Sequence, residues 1–400
     1  MARFRPATSL TLPMALLAVS LAPACAQESA SDAAGQAAGA ADAASPSSAS
    51  ADYRVVTVAE GLENPWGIAF VGDDILVTEK AGDLRVIRDG QLLEAPITGV
   101  PEVLPAGQGG LMDVVPHPDF DTNRWVYLTL SKPMGEGATT AVVRGRYDGT
   151  ALTEVEELFV ARSSGRNGHY GSRIAFDGQG YMFVSVGDRQ ASPSGDLTAH
   201  PAQDLSNHHG VIVRLHDDGR VPDDNPFVGR DGALPEIWSY GHRNPQALAF
   251  EPATGHLWST EHGPQGGDEF NRIEPGLNYG WPVVGFGVNY GGDPIHDGTS
   301  APGMESPEHY WVPSIATSGL AFYTGDRFPE WQGNAFAGGL AGEQIARLTV
   351  VNGEVTSEET ILEGMGRVRD VRDGPDGYLY VALDDRAGRP TSIVRLEPGN

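Results

Sequence analysis

Arg173-Ile174-Ala175-Phe176 is one copy of a short apolar strand motif that recurs along the chain. The other copies are Gly67-Ile68-Ala69-Phe70, Leu111-Met112-Asp113-Val114, Ala247-Leu248-Ala249-Phe250, Gly319-Leu320-Ala321-Phe322 and Val368-Arg369-Asp370-Val371. Most are followed within about a dozen residues by a second β-rich stretch. Examples are Ile75-Leu76-Val77-Thr78, Trp125-Val126-Tyr127-Leu128, Tyr181-Met182-Phe183-Val184, His256-Leu257-Trp258-Ser259 and Tyr378-Leu379-Tyr380-Val381. Turn pairs such as Asp376-Gly377 and Thr254-Gly255 separate several of these partners, as tight hairpins require. Third strands follow at 84–87, 211–215, 345–348 and 392–396. Six strand-rich modules with almost no helical periodicity predict an all-β fold, a six-bladed β-propeller of four-stranded antiparallel blades. Tyr53-Arg54-Val55-Val56-Thr57-Val58 has no module of its own, so it is expected to add an outer strand to the last blade and close the circle. Long insertions at roughly 189–207 and 285–309 are then expected on the faces, where binding loops belong.

The chain ahead of these repeats has a different character. Arg3 and Arg5, an apolar run from Leu10 to Leu21 and the small residues Ala24-Cys25-Ala26 have the layout of a secretory signal over 1–26. The run is too short to cross a bilayer. Cleavage after Ala26 would give a periplasmic or secreted protein, whereas Leu21-Ala22-Pro23-Ala24-Cys25 also approximates a lipobox that would keep Cys25 as a lipid anchor. Residues 27–52 are nearly all Ala, Ser, Gly, Asp and Pro, which bury too little apolar surface to offset chain entropy, and they read as a disordered linker. The propeller is expected over 53–400. Cys25 is the only cysteine, which excludes a disulfide, a thiolate zinc site and a cysteine nucleophile from the mature fold. A net charge of −26, with Lys80 and Lys132 as the only lysines, argues against nucleic-acid binding, which needs clustered cations. No sequence pattern assigns an oligomeric state.

Several residues have types and settings suited to chemistry. His169 lies just before a predicted innermost strand, flanked by Gly168 and Gly171, and histidine is the natural general base near neutral pH; the alternative is a loop histidine that only hydrogen bonds. Arg243 and Asn244, in Gly241-His242-Arg243-Asn244-Pro245, offer a fixed fork of donors and an amide to an anionic ligand, or else tie blades together. Gly263-Pro264, with Glu269 and Tyr279 downstream, can expose hard oxygen ligands to calcium; an acidic loop beside an aromatic core is the other possibility. Gln108 stands in the glycine-rich turn Gly107-Gln108-Gly109-Gly110. Arg367 and Arg369 alternate on a predicted strand and so share one face, where they meet either an anionic ligand or surface acids. Trp311 stacks on a sugar or fills a blade edge.

In this order and on this scaffold, the segments resemble the soluble sugar dehydrogenases that use pyrroloquinoline quinone, the glucose/sorbosone dehydrogenase family. The resemblance runs from about Val55 to Leu396. It implies a quinoprotein oxidoreductase that oxidises the anomeric carbon of aldoses to lactones by hydride transfer to the quinone. His169 would then take the hydroxyl proton and Arg243 would stabilise charge on the quinone oxygen. Asn244, Arg367, Arg369 and Gln108 would hold the cofactor, and Gln108 and Trp311 would meet the sugar. The Gly263 and Pro264 carbonyls would bind the catalytic calcium, and Glu269 with the Tyr279 carbonyl a structural one. The electron acceptor, whether a cytochrome, a quinone or a dye in vitro, is not specified by these residues.

The chain departs from the family in two places. Family members often carry a lysine against the cofactor where this chain reads Gly338-Gly339-Leu340-Ala341-Gly342, and its two lysines, both distant in sequence, are not expected to substitute. Gly168 precedes His169 where an acid could orient the ring, so another group or water must do so. Two rival functions remain: a calcium-dependent propeller lactonase or esterase, and a noncatalytic propeller that binds a glycan or a partner.

Overall fold

The computed structural model describes residues 51–135 and 137–399. The expected signal segment, its Cys25 and the linker up to residue 50 lie outside the described residues. The strands form six four-stranded sheets. Blade one comprises Pro65–Val71, Asp74–Glu79, Leu84–Arg88 and Gln91–Leu92; blade two Leu111–Pro116, Trp125–Met134, Gly137–Tyr147 and Leu152–Val160. Blade three comprises Ile174–Phe176, Tyr181–Val186, Val211–His216 and Ile237–Tyr240; blade four Pro245–Phe250, Leu257–Glu261, Asp268–Ile273 and His309–Trp311. Blade five comprises Thr317–Phe322, Ala335–Gly339, Gln344–Val351 and Glu354–Ile361. Blade six takes Arg367–Asp373, Leu379–Asp384 and Thr391–Pro398, and Tyr53–Leu62 completes it by pairing antiparallel with Thr391–Pro398. The N-terminal strand therefore closes the circle as the sequence predicts.

All six copies of the recurring motif fall on first strands, and each first strand packs against those of its two neighbours in a closed ring. This crowding accounts for the motif's small residues: a Cβ at Gly319 would overlap Asp370 of the next blade. Between the blades lie continuous apolar clusters, including Trp258 stacked on Phe270 at 4.5 Å. A fully buried Leu, Val or Phe of this kind contributes about 1.5–3 kcal/mol.

Charges tie the ring at its centre. Where four copies of the motif have Ala, blades two and six have Asp113 and Asp370, both fully buried. Asp113 accepts from the Ile174 amide of blade three, and Asp370 from the Ile68 amide of blade one. Arg173 lies 3.0 Å from both carboxylates, and Arg372 lies 2.7 Å from Asp113 and 2.9 Å from Asp370. Two cations and two acids thus neutralise each other across the axis, as buried charges must.

Candidate active site

His169 precedes the first strand of blade three, and Asp188 follows the second strand of the same blade. The two loops cross closely at Gly187, where a Cβ would overlap the His169 carbonyl. His169, Arg189 and Gln190 have φ of 48°, 57° and 57°, in the left-handed region that costs a non-glycine residue on the order of 1–3 kcal/mol. His169 Nδ1 stands 2.6 Å from Asp188 Oδ1. The other Asp188 oxygen accepts the Trp281 indole N–H at 2.8 Å, and the Gln190 amide also donates to the carboxylate. Asp188 is therefore the orienting group that the sequence alone left unassigned.

Burial pushes the His169 imidazole below its ordinary range, and the nearby Arg243 and Arg189 add to this while Asp188 opposes it. Burial acts to raise the Asp188 carboxyl, but the hydrogen bond and charge of His169 outweigh it and hold the acid below its usual value. Near neutral pH the pair is thus a neutral imidazole beside a carboxylate. Because a carboxylate can only accept, the proton sits on Nδ1 and Nε2 keeps its lone pair. Among the described residues, Nε2 has no hydrogen-bond partner.

Tyr170 and Gly171, which directly follow His169, line a cavity of about 350 Å³ together with Gln108, His262, Arg367 and Arg369. Gln108 Oε1 accepts from the His169 amide at 2.7 Å, which fixes the glycine-rich turn of blade two against blade three. Burial pushes Arg369 down to about 10, with Arg367 and Arg173 adding and Asp384 opposing. Arg367 and Arg369 share the Asp384 carboxylate, at 3.3 Å and 3.9 Å. Lys80 also lines this cavity, which corrects the expectation that sequence distance keeps it away. It follows the second strand of blade one, and the propeller brings blade one against blade six.

Arg243 adjoins the pair, its carbonyl accepting from the Asp188 amide at 2.8 Å. Its amide donates to Glu261 Oε2 at 2.7 Å and its Nη1 to the His262 carbonyl at 3.1 Å, while its buried Nε has no partner among the described residues. The guanidinium lies 5.2 Å from the Trp281 ring centre. Asn244 is fully buried, and its amide is engaged by the Gly171 N–H and His262, so it positions the surrounding backbone. Burial, followed by the Arg243 charge, pushes His262 down to about 3, and its Nε2–H donates to the Thr317 carbonyl.

The expected metal ligands Gly263, Glu269 and Tyr279 line one small pocket together with Arg243 and Glu261, and Pro264 directly follows Gly263. Among the described residues the Gly263, Pro264 and Tyr279 carbonyls accept no hydrogen bond. The buried Asn271 Oδ1, whose amide group contacts both Glu261 and Glu269, is also unpartnered. Burial, then repulsion from Glu261, pushes Glu269 well above the usual carboxylate range. Unpaired carbonyls beside crowded acids fit a hard divalent cation such as calcium. The surplus of cations around the larger cavity fits a polyanionic ligand in the same way.

Trp311 does not join this site. It lies on the outer strand of blade four, is buried against blade five and donates its indole N–H to Glu358 at 2.9 Å, so it fills a blade edge. Sequence reasoning missed Asp188, Glu261 and Lys80. Of these, Asp188 stands one residue before the 189–207 insertion and Glu261 two residues before Gly263-Pro264, both already singled out.

The pattern of the Glucose / Sorbosone dehydrogenase family matches residues 62–395. The Escherichia coli aldose sugar dehydrogenase YliI is 42% identical over 362 residues, covering 88% of this chain and 95% of the relative. The apo crystal structure of the soluble aldose sugar dehydrogenase from E. coli superposes with a TM-score of 0.81 at 41% identity, covering 87% of this chain and all of the other. A PQQ-bound aldose sugar dehydrogenase from Streptomyces coelicolor gives a TM-score of 0.70 at 29% identity, covering 87% and 98%. With this breadth of match and a shared six-bladed fold, the chain belongs to the glucose/sorbosone dehydrogenase family of sugar oxidoreductases.

Proposed function

We propose that the protein is an exported, calcium-dependent quinoprotein that oxidises the anomeric carbon of aldoses to lactones. The observation that carries this reading is the His169–Asp188 pair, whose Nε2 has no partner among the described residues, next to the Tyr170, Gly171 and Gln108 wall of a cavity lined by cations. Pyrroloquinoline quinone, when bound, supplies the carbon that accepts the hydride, and calcium supplies the Lewis acid that favours the reduced, anionic form.

The chain's own residues do the rest. His169 Nε2 takes the anomeric hydroxyl proton while the C1–H bond gives up its electron pair, leaving the C1=O of the lactone. Asp188 holds the imidazole in the tautomer that can accept, and stabilises the imidazolium that forms. Arg243 keeps a fixed positive charge beside the pair, and Arg367 and Arg369 hold carboxylates of the quinone. Gly263, Pro264, Glu269 and Tyr279 would hold calcium. The propeller is released into the periplasm or tethered at Cys25. A lactonase would draw on convergent metal-binding side chains in the funnel, whereas the cations here suit an anionic cofactor.

The test is dye reduction by apo-protein supplied with calcium and the quinone, across mono- and disaccharides. Sugar-dependent bleaching that requires both additions is expected. Lactone hydrolysis without dye reduction would overturn the assignment in favour of the rival.

A further inference from the structure

Lys80 is one of only two lysines among 53 acidic residues. Lys132 is paired with Glu157 at 2.7 Å. Lys80 makes no salt bridge among the described residues; its Nζ donates to the Gly107 carbonyl at 2.9 Å and leaves two N–H donors free. Its backbone is clamped where blades one and two meet, because a Cβ at Gly110 would overlap the Lys80 carbonyl, which also accepts from the Leu111 amide. The ammonium therefore extends from a fixed base into the cavity that holds Arg367 and Arg369.

That arrangement is costly without a ligand. Burial and the charges of Arg369 and Arg367 all push Lys80 below its ordinary range, with Asp384 opposing. Asp384 is already shared between the two arginines. Lys80, Arg367 and Arg369, from two blades, thus face the Asp384 carboxylate, and with Arg386 and Asp385 the lining sets four cations against two carboxylates inside a chain whose net charge is −26.

We infer that Lys80 binds a carboxylate of the quinone cofactor, providing from blade one the positive charge that the Gly338–Gly342 segment of blade five lacks. This inference rests on the quinoprotein reading above. Atoms do not change partners covalently; an ammonium N–H moves from open cavity to a carboxylate oxygen. Lys80 is a binding residue here, and its neighbour Gln108 remains tied to His169.

The experiment titrates apo-protein with pyrroloquinoline quinone at fixed calcium, following quenching of tryptophan fluorescence, for wild type, Lys80→Gln and Lys80→Arg. Both replacements can still donate to the Gly107 carbonyl, and thermal midpoints without quinone report whether that tie survives. Lys80→Gln should raise Kd roughly ten- to a hundredfold, since a charged hydrogen-bond donor is lost, while the unliganded midpoint stays unchanged. Lys80→Arg should stay within about threefold of wild type, and the salt dependence of Kd should flatten only in Lys80→Gln. Wild-type affinity in Lys80→Gln, or a loss matched by a lowered midpoint, overturns the Lys80 role alone. Wild type that binds no quinone at any calcium concentration overturns the quinoprotein reading, and the Lys80 role with it.

Discussion

Asp188 Oδ1 lies 2.6 Å from His169 Nδ1 although 19 positions separate the two residues in the chain. The second oxygen is held by Trp281, so the carboxylate cannot rotate away from the ring. Asp188→Asn would present an amide able to donate to Nδ1, which favours the tautomer whose Nε2 carries the proton and cannot accept another. Turnover should fall by about 10²–10⁴-fold, with quinone affinity within a few-fold of wild type. Dye-reduction kinetics and a quinone titration check both, and full activity in the variant would remove Asp188 from the mechanism.

The pH profile follows from the same pair. A base must be unprotonated to work, so kcat/KM rises with pH through the His169 pKa of the free enzyme. That pKa is held below the ordinary value of 6.5 by burial and neighbouring cations, so the acid limb should lie below pH 6.5. Asp188 opposes the downward shift, and any residual activity of Asp188→Asn should show a limb at still lower pH. A wild-type limb above 6.5 would point to a different base.

Arg369→Ala removes a half-buried cation that faces the cavity. A carboxylate contact is much the same before and after hydride transfer, so quinone affinity should fall by roughly tenfold or more while turnover at saturating quinone changes little. Equal losses in both quantities would place Arg369 nearer the reacting atoms.

Arg173→Met tests the axial charge network. The substitution leaves Asp113 and Asp370 buried with Arg372 as their remaining cation, and should cost about 3–5 kcal/mol of stability. Urea unfolding measures this directly; a loss under about 1 kcal/mol would mean that Arg372 or water compensates.

Calcium should raise the thermal midpoint of the protein even without quinone. A ligand that binds only the native state contributes about 2.7 kcal/mol at a hundred times its Kd. Glu269→Gln should reduce that shift, because it removes a charge from the crowded Glu261–Glu269 pair at the proposed site. An unchanged calcium-dependent shift in Glu269→Gln would exclude Glu269 as a ligand.

The sequence by itself determined the propeller, because the first strands meet at one axis and the same crowding acts on each, so small and apolar residues recur at fixed positions. Strand closure by Tyr53–Leu62 was legible for a related reason: a β-rich segment without a module needs an edge to pair with. Fourth strands were less legible individually. Leu152–Val160 and Glu354–Ile361 are largely exposed and charged, and His309–Trp311 is only three residues long, so they show little of the pattern that burial imposes. His169, Gln108, Arg243, Arg367 and Arg369 could be singled out because each stands in a motif on or shortly before a first strand, and Gly263 because its glycine-proline turn follows the second strand of blade four.

Tertiary structure alone decided the rest. It drew Asp188 to His169, Glu261 to Arg243 and Lys80 to Arg369, and it took Trp311 away to a blade edge. These pairings join different strands or blades, and a circular fold places residues together at its axis whatever their separation in sequence. Local patterns record how a segment meets the core. They carry no term for which distant charge it will face, and in this site such charges, after burial, help set where His169 and Arg369 stand relative to their ordinary ranges.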